Sequence, residues 1–347
     1  MKYTRVYIES MGYELAPVVV TSAELETRLA SVYETLHLTP GQLEAMTGIY
    51  ERRWWRPGFR VADGAIAAAR KALGACSAAP NDVGALIYAA VCRESFEPAT
   101  ACRVAHALGI SPSAAVLDIS NACLGVINGI MDVANRIELG QVRAGLVVAS
   151  ETAREINELT IAKLAVGPRI ETFTKSLATL TGGSAAIAVL VTDGSFSKTG
   201  RRKVLGGVTE TAVEHYDLCK WGIRPVEDNR FEQYATTDAA AVLKHGVALG
   251  VRTWDAFLEE LGWTAGQVDK VICHQVGKNH EESILKALGI AAEKDFVTYP
   301  FLGNTGTVAL PITAALAEER EFLQPGGRVG FLGIGSGLNC LMLGLEW

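Results

Sequence analysis

The chain has 347 residues, 49% of them apolar and 20% charged, which excludes disorder as its main state and suits one large domain or two fused halves. Lys and Arg number 32 against 38 Asp and Glu, a net charge of −6, and this argues against a nucleic-acid-binding protein, which is usually basic. The 35 glycines exceed a usual share of about 7% and stand in ones, twos and threes beside apolar runs, as turns and close backbone approaches require.

The segment Met1–Ser10 carries no apolar core of a signal peptide, so a cytoplasmic protein is expected. In the first half, apolar runs predict strands at Arg5–Ser10, Ala85–Val91, Ala115–Ile119, Ala144–Ser150 and Ser184–Val191. Helical periodicity marks Ser22–Leu36, Ala62–Leu73, Ala99–Leu108 and Leu124–Leu139. The second half repeats the rhythm. Its strands are predicted at Lys203–Thr211, Lys270–His274, Phe296–Tyr299, Arg328–Gly333 and Asn339–Glu346, and its helices at Thr237–Leu261, Asn279–Leu288 and Thr305–Phe322. Central strands that are apolar throughout belong to sheets covered on both faces, so the class is layered α/β. Glycines and Asn339 interrupt the last apolar run, Val329–Leu345, which fits two buried strands better than a membrane span.

The polar seam Ser195–Lys203 divides the chain into halves, 1–195 and 196–347. Each half ends in a glycine cluster followed by an apolar strand, Thr181–Val189 and Gly333–Leu341, and each has a strand that runs through a turn into a helix, Asp118–Cys123 and Phe296–Asn304. A duplicated α/β unit is expected. The seven cysteines are odd in number and contain no C-x-x-C pair, which predicts free thiols rather than a disulfide framework or a zinc site.

Four features can carry chemistry. Cys123 follows a strand end and a turn of small residues and precedes an apolar helix, where exposed N–H groups and the macrodipole favour a thiolate nucleophile. His274 ends a buried strand. Asn304 stands in the glycine-lined turn Gly303–Gly306, either as a helix cap or as a side-chain donor. The run Gly333-Ile334-Gly335-Ser336-Gly337 could form a tight turn or expose N–H groups to an oxyanion. Taken singly, each fits a structural role about as well.

Together, and with Thr47-Gly48-Ile49-Tyr50-Glu51-Arg52-Arg53, these segments resemble the ketoacyl synthase III branch of the thiolase superfamily over essentially the whole chain. The resemblance implies the duplicated, five-layered αβαβα thiolase fold, a homodimer, and a Cys123–His274–Asn304 triad with the backbone N–H groups of Cys123 and Ser336 as oxyanion donors. Acyl-CoA or acyl-carrier-protein thioesters are the implied substrates, with no bound cofactor and no metal. Carrier protein and downstream enzymes are the further partners it brings into view. Glu97-Pro98-Ala99-Thr100-Ala101 and His274-Gln275-Val276-Gly277 bring the chain nearest to the OleA-type enzymes of olefin biosynthesis, which join two fatty acyl-CoA molecules. There, the glutamate matching Glu97 is thought to reach across the dimer as a base.

The chain also departs from the synthase III pattern. The tryptophan and arginine that grip the nucleotide of coenzyme A fall at Gln42 and Met46, and the arginine beyond His-Gln falls at Asn279. Lys278, Arg52 and Arg53 are the remaining candidate cations, and Trp54-Trp55 read as buried packing or as lining of the pantetheine path. Three other functions stay open on the sequence: a decarboxylating synthase III fed by malonyl-carrier protein, an acyl-Cys transferase to a non-carbon acceptor, and a non-catalytic partner subunit.

Overall fold

The computed structural model describes residues 1–196, 202–227 and 229–347, so the core of the polar seam, 197–201, lies outside the described residues. The first half runs β1 (Tyr7–Leu15), β2 (Val18–Thr21), α1 (Ser22–Arg28), α2 (Ala30–Thr35), α3 (Gln42–Thr47), β3 (Glu51–Trp54), α4 (Val61–Gly74), β4 (Val83–Tyr88), α5 (Thr100–Leu108), β5 (Ala115–Asp118), α6 (Gly125–Glu138), β6 (Ala144–Glu151), α7 (Arg154–Val166), α8 (Ile170–Leu180) and β7 (Ala185–Thr192). The second runs β8 (Arg202–Thr211), β9 (Cys219–Val226), β10 (Arg230–Thr237), α9 (Ala239–Leu261), β11 (Lys270–Cys273), α10 (Lys278–Leu288), α11 (Tyr299–Leu302), α12 (Ala309–Glu319), β12 (Arg328–Gly335) and β13 (Asn339–Glu346).

The two halves share one strand pattern. β4 is parallel to β5 and β6, β6 is antiparallel to β7, and β7 to β1. Correspondingly, β11 is parallel to β12, β12 is antiparallel to β13, and β13 to β8. Two residue pairs, Tyr7–Lys203 and Ile8–Arg202, join β1 to β8, so the halves read as one nine-stranded sheet among the described residues. β6 and β7 are buried at every position, as their unbroken apolar runs require.

The helices sort into three layers. α4 packs on β1, β6 and β7, while α9 packs on β8 and β13. α12 touches β1 and β7 on one side and β11 on the other, and Gly333 of β12 meets Leu124 and Ile127 at the start of α6. α6 and α12 are therefore the middle layer of an αβαβα stack. The sequence of α12 anticipates this: Ala309 to Ala317 is buried all round, as a helix between two sheets must be. Fully burying Leu310 or Ile312 contributes about 1.5–3 kcal/mol each.

Three expectations are corrected. The helix expected at Ser22–Leu36 breaks at Leu29 into α1 and α2. Ahead of α12, Gly306–Val308 is a 3₁₀ turn. The strand expected at Phe296–Tyr299, the counterpart of β5, reduces to one bridge between Val271 and Asp295. Its N–H groups are taken by side chains: Phe296 N donates to Asp295 Oδ1 (3.0 Å), and Thr298 N and Tyr299 N donate to Gln275 Oε1 (2.9 and 3.1 Å). A ladder cannot form where its donors are already used. Sequence reading also missed the antiparallel β2–β3 pair, the β9–β10 hairpin and helices α7 and α8.

Candidate active site

Cys123 lies in the turn between β5 and α6, half-buried. Ala122, just before it, has φ of 45°, a left-handed conformation that a non-glycine residue adopts at a cost, and the turn is held from both sides. Asn121 Nδ2 donates to Asn128 Oδ1 (2.8 Å), and Asn339 Nδ2 donates to Asn121 Oδ1 (3.0 Å), which ties the Cys123 turn to the start of β13. A Cβ on Gly335 would stand 3.3 Å from Cys123 N, a tight contact, so the β12–β13 turn, which carries Ser336, lies directly against the Cys123 backbone.

The electrostatics of Cys123 differ from the sequence expectation. The thiol is near a helix N-terminus, but burial pushes it from 9.0 up to about 12, with smaller contributions from Cys219 and the Glu151 carboxylate. The free protein therefore presents a neutral thiol.

His274 follows β11, its N–H donating to Leu332 O (2.9 Å), and its side chain is buried. Burial lowers its pKa to about 3, with a smaller push from His280, so the imidazole is neutral. Its Nδ1 has no hydrogen-bond partner within the protein. Gln275, next in the chain, fixes this strand end by bonding to Phe296 O (3.1 Å) as well as to Thr298 and Tyr299.

Asn304 is held by main-chain bonds to Thr181 O and from Gly183 N, each 2.9 Å. Its Oδ1 accepts from Gly306 N (3.0 Å). The capping reading and the donor reading are thus compatible: the turn consumes the oxygen and leaves the Nδ2 hydrogens for a ligand. Behind the turn, the backbone N–H of Val126 in α6 donates to Thr307 Oγ1 (2.7 Å), which clamps the Cys123 and Asn304 segments together. β11 and β12 are neighbours, and β12 ends at Gly335 against Cys123, so the structure gathers Cys123, His274, Asn304 and Ser336 at one end of the sheets.

Glu97 stands apart. It lies in the exposed loop between β4 and α5, beside Phe96, whose ring is 92% exposed. The loop itself is anchored. Glu94 pairs with Arg60 and Arg103 (both 2.7 Å), and Asp118 accepts the N–H groups of Thr100 and Ala101 (both 2.9 Å).

The proposed CoA cations separate. Arg52 is fully buried, donates to Ser22 Oγ (3.1 Å), and burial lowers its pKa to about 10. It packs the core beneath β3 and offers nothing to a ligand at the surface, which corrects the sequence reading. Lys278 opens α10 with its side chain about half exposed, 3.9 Å from Glu282 and against the Gly48 turn. Trp54 and Trp55 are buried and donate to Gly182 O and Glu151 O, the packing reading. Sequence reading gave no role to Asn121, Glu151, Thr307 or Asn339, because each acts through a partner distant in the chain.

The comparisons with known proteins bear on this site as a whole. Residues 258–347 match the family described as 3-oxoacyl-[acyl-carrier-protein] synthase III C terminal. The chain is 54% identical over the full length of both chains to the acyl-CoA:acyl-CoA alkyltransferase of Shewanella oneidensis, and 34% identical, again over both full lengths, to that of Xanthomonas campestris. The chain belongs to the acyl-CoA:acyl-CoA alkyltransferase family. Alkyltransferase structures agree: cerulenin-bound X. campestris OleA superposes with a TM-score of 0.93 at 33% identity, covering 100% of this chain and 98% of that one. A variant of the same protein with bound lauric acid and lauroyl-CoA gives 0.91 at 32% identity, covering 99% and 100%. β-Ketoacyl-carrier-protein synthases III are more distant, as in Streptomyces coelicolor at 27% identity over 98% of this chain and 96% of that one. The alkyltransferase family shares the thiolase fold, and its members are acyl-transferring condensing enzymes.

Proposed function

We propose that the protein condenses two fatty acyl-CoA thioesters head to head through an acyl-Cys123 intermediate. One observation carries this reading: a chain alike over its whole length to acyl-CoA:acyl-CoA alkyltransferases holds the Cys123 turn, the His274 strand end and the Asn304 turn at one end of its sheets.

Cys123 Sγ attacks the thioester carbon of the first acyl-CoA. The N–H groups of Cys123 and Ser336 receive the oxyanion, each donor supplying about 3–4 kcal/mol. CoA departs as its thiol, carrying the thiol proton. The second acyl-CoA enters, its thioester oxygen hydrogen-bonded by neutral His274 and by Asn304 Nδ2. An α-proton is removed, and the enolate carbon attacks the acyl-Cys123 carbonyl. The Cys123 thiolate leaves and takes up the proton, and the β-ketoacyl product is released by hydrolysis as a β-keto acid. Without a carboxylate to lose from the donor, the α-proton needs a base. We assign that role to Glu97, delivered by the exposed loop to the site of a second copy in a homodimer. No helix among the described residues is long and apolar enough to cross a membrane, and we place the enzyme in the cytoplasm.

The test is incubation with myristoyl-CoA alone and mass analysis of products. A β-keto acid or ketone carrying two acyl chains is expected. Product formed only when malonyl-CoA or malonyl-carrier protein is added would overturn the reading in favour of a decarboxylating synthase. Cys123→Ser should abolish the acyl-enzyme adduct.

A further inference from the structure

Glu151 is a buried carboxylate that the mechanism above does not use. It ends β6, is 4% exposed, and lies where three parts of the site meet. Its Oε1 accepts from Val91 N (2.9 Å) and its Oε2 from Cys92 N (3.0 Å), the first residues of the segment that leads to Glu97. On its other side it meets the Asn304 turn. A Cβ on Gly306 would stand 3.4 Å from Glu151 Cγ and 3.5 Å from Oε1, so the carboxylate lies against this turn. Trp55 Nε1 fixes its backbone by donating to Glu151 O (3.0 Å).

The Val91–Cys92 donors and the Gly306 turn belong to segments far apart in sequence, and Glu151 touches both. Burial raises the Glu151 carboxyl above its ordinary value and the N–H bonds from Val91 and Cys92 oppose that rise, so these donors favour the carboxylate form, whose charge-assisted bonds are the stronger kind. We propose that Glu151 is the positioning residue for carbon–carbon bond formation, holding both the Asn304 turn of its own site and the base of the loop that carries Glu97 to the partner copy's site, a proposal that rests on the condensation reading above.

The chemistry divides in a way that makes the role separable. Acylation of Cys123 uses the nucleophile turn and the Ser336 turn, neither of which Glu151 holds. Condensation uses Asn304 and the Glu97 loop, both of which it holds. The carboxylate also lies close enough to Cys123 for its negative charge to oppose thiolate formation. Replacing it by an amide removes that charge and places an NH₂ against one of its two N–H donors, so the loop shifts while the thiol becomes more acidic.

The experiment compares wild type, Glu151→Gln and Glu151→Asp in three measurements: single-turnover formation of the acyl-enzyme from myristoyl-CoA, condensed product per acyl-enzyme, and the pH profile of iodoacetamide alkylation of Cys123. Glu151→Gln should form acyl-enzyme at no less than the wild-type rate and lose condensation about tenfold to a hundredfold, the range for displaced catalytic groups. Its alkylation profile should move to lower pH. Glu151→Asp keeps the charge and fold and should keep the wild-type profile while condensing less. The proposal is overturned if Glu151→Gln condenses within about twofold of wild type, or if acylation and condensation fall together with no shift in the alkylation profile in either variant. An adduct that persists in Cys123→Ser overturns the acyl-Cys123 reading instead, so the two failures are distinguishable.

Discussion

Val126 and Thr307, 181 residues apart, share a 2.7 Å bond from a backbone N–H of the helix that follows Cys123 to the hydroxyl behind the Asn304 turn. Both residues are fully buried, so no water can replace the acceptor. Thr307→Val keeps the shape and orphans the donor, which costs about 1–3 kcal/mol. Urea unfolding should show that loss, and Thr307→Ser should recover most of it. A midpoint unchanged in Thr307→Val would mean that the bond contributes nothing.

The raised thiol pKa of Cys123 has a direct kinetic consequence. Only the thiolate reacts with iodoacetamide, so with a pKa near 12 the inactivation rate should rise about tenfold per pH unit from pH 7 to 11 without levelling. A plateau near pH 9 would indicate an ordinary, solvated thiol.

Acid should destabilise the fold in a defined window. Burial depresses His274 to about 3 and His280 to about 4, so between the ordinary histidine value of 6.5 and those values the unfolded chain binds two protons that the folded chain refuses. Asp295 works in the opposite direction: burial raises it to about 7, so the folded state holds one proton that the unfolded chain releases above 3.8. For these three groups the net is one proton favouring the unfolded state, so their joint contribution to stability should fall by about 1.4 kcal/mol per pH unit from pH 6.5 down to 4. His280→Phe should flatten that slope, as followed by denaturant titration at each pH.

The correction at Arg52 is testable. Arg52→Ala should cost about 2–4 kcal/mol through lost packing and a broken buried bond, while leaving the KM for myristoyl-CoA unchanged. A several-fold rise in KM without loss of stability would return Arg52 to the ligand.

The strands and main helices were legible because continuous apolar runs and 3.6-residue periodicity do not depend on partners. The Cys123 turn was legible for the same reason: a strand, three small residues and an apolar helix leave few other local geometries. What failed depended on distant contacts. The strand pattern at Phe296–Tyr299 was real, but Gln275 and Asp295 took its donors. Arg52 has the composition of a surface cation, and only its packing under β3 shows that it is buried. The charge state of Cys123 followed desolvation, which no local pattern encodes, and the β9–β10 hairpin alternates polar and apolar residues too irregularly to announce itself.

The repeated strand order has a consequence for how this protein can change. In the first half the Glu97 loop follows β4 and the Cys123 turn follows β5; in the second, His274 follows β11, and the Asn304 turn follows the Asp295 bridge that stands where β5 stands in the first. The strand order repeats, but the side chains at its loop positions do not: Cys123 stands on one copy of the pattern, His274 and Asn304 on the other. Two copies of either half would therefore rebuild the scaffold without bringing these three side chains together.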